Sequence, residues 1–344
     1  MSNAVRSKIT IKQVAEASGV APSTVSNALT GKGYVAPATR SRVVEAAESL
    51  GYRASSLARS LRLQQTWSVG LLLADVSNPF FPAVVRGIED VLWGKQYNLV
   101  LCNTDYRKDK ETAYLRHLLD KQLDGLILAS TAADSDDVLE LQERGVPFVM
   151  LNRRHVSART HYVGMDNEGG VGAAIEHLLT LGHRRIAFIK GRADSSAAEE
   201  RFQGYRASLR RAGIGFDPAL VAQGDYTIES GHAAAARFLQ LAHLPTAIVS
   251  ANDFMAFGAM ARFKEQGVRV PEEVSVIGFD DIFVSALPWI ELTTVRPQSW
   301  QLGASAAELL LELIGRRGGA RPREIILENE LVLRATTGPA RKRE

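Results

Sequence analysis

Seven polar residues stand just past short apolar runs, where their side chains could meet one molecule. Asn78 follows VGLLLA (69–74), Asn103 follows NLVLC (98–102), and Asn152 and Arg153 follow PFVML (147–151). In the second half Asn252 and Asp253 follow TAIVS (246–250), and Asp280 follows VSVIGF (274–279). Amides, carboxylates and a guanidinium group that converge can hydrogen-bond a small, neutral, hydroxyl-rich molecule better than an apolar one. Asn and Asp at such places also start turns and cap helices, and any single position could be doing only that. Their recurrence in both halves of the chain is what points to a shared cleft.

The runs themselves say how such residues would be positioned. With GLILA (125–129) and RIAFI (185–189) they make a series of solid apolar strands alternating with helical stretches, the pattern of parallel sheets covered on both faces. Open parallel sheets bind ligands outside the carboxyl ends of their strands. About 270 residues are many for one open sheet, and the repetition on either side of residue 165 predicts two α/β lobes facing each other.

Ahead of this body lies a basic head. Residues 1–62 carry nine Lys or Arg against three Glu, whereas the whole chain of 344 residues has a net charge of only +3. That asymmetry is expected of a nucleic-acid-binding module joined to something else. Thr10 to Gln13 is a capping box. Ile11, Val14, Ala15 and Ser18 follow at helical spacing up to Gly19. A second helix, Ser23 to Leu29, would bury Val25, Ala28 and Leu29. A third, about Ala38 to Leu50, would bury Val43, Val44, Ala47 and Leu50. Two helices on a tight Gly turn with a third beneath them make a helix-turn-helix.

Several classes are disfavoured. The apolar runs are far shorter than the roughly 20 residues a membrane span needs, and MSNAVRSKIT lacks a signal-peptide core, so a cytoplasmic protein without membrane contact is expected. Cys102 is alone, which excludes an intrachain disulfide and a Cys-based zinc site. Gly169-Gly170-x-Gly172 lacks the full dinucleotide fingerprint, no phosphate-binding loop or nucleophile elbow is present, and the seven His residues are scattered. No enzyme activity, cofactor or metal is expected.

The segment TIKQVAEASGVAPSTVSNALTGKGYVAPATRSRVVEAAESLGYRASSLARSLR (10–62) carries a more specific signal. It is followed in order by DVSNPFF (75–81), VMLNRR (149–154), Arg201-x-x-Gly204, SANDFMAFGAM (250–260), VSVIGFDD (274–281) and LTTVRP (292–297). These blocks resemble the lactose/galactose repressor family of bacterial transcription regulators, and the resemblance covers essentially the whole chain. It implies an α/β fold: an N-terminal all-α helix-turn-helix head plus a periplasmic-binding-protein-like core of two doubly wound parallel-sheet lobes. The expected divisions are a head at 1–54, a hinge helix and linker at 55–65, and a core at 66–340. Within the core, the first lobe would comprise about 66–166 and 297–323, and the second about 167–296 and 324–340.

The resemblance also implies roles. The second helix of the head would lie in the major groove of double-stranded operator DNA, with Pro22, Ser23 and Asn27 reading bases and Thr10, Thr24 and Ser26 on phosphates. In the hinge, Leu61 would insert into the minor groove, Ala58 would let two hinge helices approach, and Arg59 and Arg62 would meet phosphates. Two hinges at one place require a homodimer on a near-palindromic site. Effector contacts carried over by motif are Asn78, Phe80, Phe81, Asn152, Arg153, Arg201, Tyr226, Asn252, Asp253 and Asp280, suited to a sugar or sugar derivative. The chain departs from the family at Ala21, where many members have Ser, and at Ser195 and Ala197, whose small size argues against a purine. It departs again at Pro297, which takes the place of a ligand-side Gln. Repression by an effector-controlled regulator is the implied activity. Induction, corepression and control by a protein partner remain open, and without a heptad tail no tetramer is expected.

Overall fold

The computed structural model describes residues 9–30, 33–52, 65–316 and 321–341, and the chain divides into two compact units, Met1–Thr66 and Trp67–Glu344. The expected hinge residues Ala58, Arg59, Leu61 and Arg62 lie outside the described residues.

In the first unit three helices form: α1 (Ile11–Ser18), α2 (Pro22–Thr30) and α3 (Pro37–Ser49). Thr10 caps α1, with its backbone N–H donating to Gln13 Oε1 at 2.8 Å and its hydroxyl donating to the same oxygen at 3.0 Å. Gly19 ends the helix at φ 67°, a left-handed conformation that Gly adopts without a Cβ penalty. Val14, Ala15, Val25, Ala28, Val43 and Ala47 meet in one small core. Leu50, expected to point inward, is exposed: it sits past the last turn of α3, at the C-cap, and no longer follows the buried stripe.

The second unit contains two six-stranded sheets. The first has the order β11-β5-β4-β3-β1-β2 and is parallel throughout. Its strands are β1 (Ser68–Leu73), β2 (Asn98–Asn103), β3 (Gly125–Leu128), β4 (Phe148–Leu151), β5 (Tyr162–Met165) and β11 (Glu324–Leu327). The second sheet has the order β12-β10-β9-β8-β6-β7 and is parallel except for its β10–β12 edge. It comprises β6 (Ile186–Lys190), β7 (Val221–Gln223), β8 (Ala247–Ser250), β9 (Ser275–Phe279), β10 (Thr293–Pro297) and β12 (Asn329–Val332).

The chain passes between the lobes three times, after β5, after β10 and after β11. Pairing of Glu324–Leu327 with β5 places that segment in the first lobe, so the last crossing falls at Glu328 and not before residue 324. The crossings are tied together. Asn329 Nδ2 donates to the Asp166 carbonyl at 2.7 Å, and Gln298 Nε2 donates to the Glu328 carbonyl at 3.1 Å. A Cβ on Gly170 would lie 2.8 Å from Asn329 Nδ2 and 3.0 Å from Val295, so this glycine admits the neighbouring crossing. Gln298 therefore fastens a crossing strand and does not line the cleft.

Helix α4 (Phe80–Gly94) begins at the carboxyl end of β1 and so carries two site aromatics on its first turn. Its depth is set by α11 (Ser299–Gly315), against which it packs through Gly87 and Gly303. A methyl on Gly87 would collide with the Trp300 carbonyl. Gly87→Ala should therefore lower the urea midpoint by an amount equivalent to about 1–3 kcal/mol, the usual cost of overpacking, and an unchanged midpoint would show that the two helices can part freely.

Candidate functional site

A cleft lies where the carboxyl ends of both sheets converge. It is lined by Asn78, Phe80, Phe81, Tyr106, Ala129, Asn152 and Arg153 from the first lobe, and by Ser195, Ala197, Arg201, Tyr226 and Asp280 from the second. Eight of the ten effector residues expected from sequence are in that set.

The aromatic wall is built by α4. Asn78 Oδ1 accepts from the Phe80 N–H at 3.0 Å, which fixes the turn into the helix. Phe80 and Phe81 then stand edge to face with centroids 5.3 Å apart. Across the cleft Tyr226 adopts φ 76°, and its hydroxyl donates to Ser195 Oγ at 3.2 Å. Gly191 permits this pose, because a Cβ there would occupy the Tyr226 ring. Tyr106, absent from the expected set, completes the wall. The Arg192 guanidinium lies 4.6 Å and that of Arg153 5.7 Å from its ring centroid, one from each lobe, and burial pushes its hydroxyl up to about 12.

Polar groups surround these rings. Asn152 turns the chain after β4 at φ 56°, a conformation Asn tolerates, and its Oδ1 is buried with no partner. Arg153 Nη1 donates to the Ser130 carbonyl at 2.9 Å. Arg201, 3% exposed, is held on every side. Its Nε donates to Asn167 Oδ1 at 2.8 Å, its Nη1 to the Ala251 carbonyl, and its plane lies 3.6 Å from the Phe279 ring.

Asp280 follows β9 at φ 117°, rare for a residue with a side chain. Its side chain is 7% exposed and Oδ1 lies 3.9 Å from Arg201 Nη1, a loose ion pair beyond hydrogen-bond length. Burial drives its carboxyl from an ordinary 3.8 up to about 8, with Arg201 opposing and Asp253 adding to the rise.

Asn252 and Asp253, expected to touch the effector, do not line the cleft. Asn252 Oδ1 caps α10 (Asp253–Glu265) through the Met255 N–H at 3.0 Å, while its Nδ2 donates to the Tyr226 carbonyl at 3.0 Å. Asp253 is fully buried and accepts from Thr294 Oγ1 (2.5 Å), Ser285 Oγ (2.6 Å) and the Ile282 N–H (3.0 Å). It ties the loop after β9 to β10, and burial lifts its carboxyl to about 7 despite those donors. Asn103 is likewise structural, accepting from the Val76 N–H at 2.7 Å.

The cleft is nearly shut, with about 40 Å³ free, room for a water or two. It opens through Asn78, Tyr106 and Tyr226 into an outer space of about 170 Å³. A larger cavity of about 500 Å³ runs along α10 and is lined by Phe257, Met260, Val268, Val270 and Ile290. Lys264, Arg269 and Glu272 also border it, but it has no counterpart to the aromatic rings and amides that face each other in the smaller cleft, which is the better candidate for small-molecule recognition.

On the head, Pro22 and Ser23 are exposed at the start of α2, and Thr24, Ser26 and Asn27 are half-buried. Tyr34, not singled out from sequence, is 92% exposed. Its neighbour Gly33 passes Asn27, whose Nδ2 would lie 3.6 Å from an added Cβ. Among the described residues no helix is long and apolar enough to cross a membrane, and no cluster of His, Cys, Asp and Glu could hold a metal.

A helix-turn-helix head followed by a two-lobed core with a polar interlobe cleft defines a ligand-responsive DNA-binding regulator. Residues 66–335 match the periplasmic binding proteins and sugar binding domain of the LacI family, and residues 10–55 match the bacterial regulatory proteins, lacI family. The chain belongs to the LacI family of transcription regulators. It is 35% identical to the HTH-type transcriptional repressor PurR of Photobacterium profundum, covering 94% of this chain and 97% of that protein. It is 36% identical to the HTH-type transcriptional regulator RegA of Clostridium saccharobutylicum, covering 95% and 98%. Among solved structures it resembles the Lac repressor dimer bound to operator and the anti-inducer ONPF, with a TM-score of 0.86 and 28% identity over 96% of this chain and 100% of that one. It also resembles the transcriptional regulator CelR–cellobiose complex, with a TM-score of 0.74 and 32% identity over 95% and 99%.

The raised carboxyl of Asp280 has a consequence for stability. A carboxyl whose folded value exceeds its unfolded one favours the fold at low pH, and that contribution is lost as pH rises from about 4 through about 8. Asp280→Asn cannot ionise, so it should melt at nearly the wild-type temperature below about pH 4 and progressively above it as pH rises toward about 8. A difference independent of pH in calorimetry would contradict this.

Proposed function

We propose that this protein is a repressor that binds a near-palindromic operator as a homodimer and is controlled by a small hydroxyl-rich effector, a sugar or sugar derivative, in the interlobe cleft. The observation that carries this reading is the cleft's composition. The Phe80, Phe81, Tyr106 and Tyr226 rings stand beside Asn152, Arg153, Arg201 and Asp280. Rings cover the apolar faces of a pyranose, while the buried, unpartnered Asn152 Oδ1 and the loosely paired Asp280 suit hydroxyl donors. With about 40 Å³ free, the present arrangement is a closed one, and a sugar enters when the lobes part. The solved relative named as a cellobiose complex supports the same ligand class.

On the DNA side, Pro22, Ser23 and Asn27 read bases, Thr10, Thr24, Ser26, Arg59 and Arg62 meet phosphates, and Ala58 and Leu61 enter the minor groove. Exposed Tyr34 adds a phenol on the loop that passes Asn27. Dimerisation is supported by apolar surface on the second lobe. Phe283 (73% exposed) and Trp289 (78% exposed) belong to the chain segment that also contributes Ile290 to the 500 Å³ cavity, and a second copy would cover such surface.

A thermal-shift screen against sugars, sugar acids and nucleosides tests the effector class, since a binder raises the melting temperature. A sugar or sugar acid should shift it, and a response to nucleosides alone would overturn the assignment. For the head, Asn27→Ala should lower affinity for a duplex selected from a random pool by about tenfold or more, leaving random duplex unaffected. Leu61→Ala should weaken the selected duplex far more than random duplex; equal losses would remove the minor-groove role.

A further inference from the structure

A chain of polar contacts leads out of the cleft floor and ends in the other lobe. Arg201 Nε donates to Asn167 Oδ1 at 2.8 Å, and Asn167 Nδ2 donates to Glu200 Oε2 at 2.7 Å. The other oxygen of Glu200 accepts from Arg154 Nε at 3.1 Å. Arg154 then reaches Glu324 on β11 through its Nη1 at 2.8 Å, and its guanidinium lies 3.9 Å from the centroid of the Tyr162 ring on β5. Arg201 and Glu200 belong to α8 (Ser196–Arg211) of the second lobe, whereas Arg154, Tyr162 and Glu324 belong to the first. Asn167 opens α7 (Asn167–Thr180), the helix that follows the first crossing.

Each link fixes the next. Arg201 cannot swing, because Ala251, Met165 and Phe279 occupy its other edges and its face. Its N–H fixes which end of the Asn167 amide is the acceptor, so the amide's donor end must point at Glu200. Glu200 is thereby aimed toward the first lobe before Arg154 arrives. A second cross-lobe bond lies beside the first, from the Arg154 N–H to Ser196 Oγ at 2.7 Å.

We propose that Asn167 and Glu200 are positioning residues for lobe closure: they carry the fixed orientation of Arg201 in the cleft to Arg154, and the Glu200–Arg154 pair latches the closed state. When the lobes part, the Glu200–Arg154 pair and the Arg154–Ser196 hydrogen bond are lost together, which favours reclosure. The latch stands on these contacts alone; its coupling to an effector rests on the cleft being the effector site.

Interlobe energy transfer tests the latch without DNA or ligand, so its failure is distinct from failure of the proposed function. Dyes are placed on Glu143→Cys and Arg237→Cys, one in each lobe and both exposed, and labelled chains are diluted into unlabelled full-length protein. Arg154→Met and Glu200→Gln should each raise the ratio of open to closed molecules by about two- to fivefold, as expected of a half-buried ion pair. The double variant should open no further than either single one. Asn167→Ala should open the lobes as well, although Asn167 itself contacts no first-lobe residue of the latch. Additive effects of the two charge variants, or no opening in any of the three, would overturn the proposal. Far-ultraviolet dichroism confirms that each variant is folded, and a variant that unfolds is replaced by Glu200→Asp, which should open the lobes less than Glu200→Gln.

Discussion

A guanidinium stays charged in a protein, so a buried one must be surrounded by acceptors or the fold does not form. Arg201 imposes that constraint on the second lobe and on its junction with the first. Its burial is met by the Asn167 amide, the Ala251 carbonyl, the Met165 sulfur and the Phe279 ring. These come from the first crossing helix, the end of β8, the end of β5 and the end of β9. One side chain therefore brings the carboxyl ends of both sheets to a common point. Asp280 lies 3.9 Å from Arg201, too far to bond, which leaves its carboxyl facing the cleft without a close donor.

The same economy explains why the two acids that follow strands in the second lobe have different fates. Asp253 receives three donors from residues 282, 285 and 294, far along the chain, and becomes a fixed anchor. Asp280 receives none of comparable geometry and sits on a strained backbone facing the cleft. The anchor holds the loop that begins at Asp280, so the two residues form one device: a buried carboxyl with its donors in place positions one without them. Strain of this kind persists where surrounding structure over-determines it, and it clusters at binding sites.

Much of this architecture is legible in the amino-acid order. The seven apolar runs correspond to β1, β2, β3, β4, β6, β8 and β9; six of them are buried on both faces and so must be apolar throughout, whereas β2 is a largely exposed edge strand. The remaining strands have three to five residues and escape that signal. In β11 and β12 part-buried residues share the strand with exposed ones, and their register depends on partners more than 30 residues away, so the last crossing lies a few residues from its expected place. Site residues followed the same division. Phe80, Phe81, Arg201 and Tyr226 came only with the family resemblance, whereas Asn78, Asn152, Arg153 and Asp280, just past strands, could be placed by position. Asn252 and Asp253 shared that position, yet long-range donors and a helix cap claimed their side chains. Tyr106 lay hidden in the charged stretch DYRKDK, where nothing local marks one aromatic as facing a cleft.

The central claim is that one cleft and one DNA-binding head are energetically coupled, and coupling of binding free energies is reciprocal. The direct test is the affinity of the sugar found by screening, measured by calorimetry on the free protein and on the protein saturated with its selected operator. The two values should differ by a factor of about 5–150, and the sugar should change operator affinity by that same factor. Equal sugar affinity in the two states, with operator bound equally well in the presence and absence of the sugar, would contradict the account.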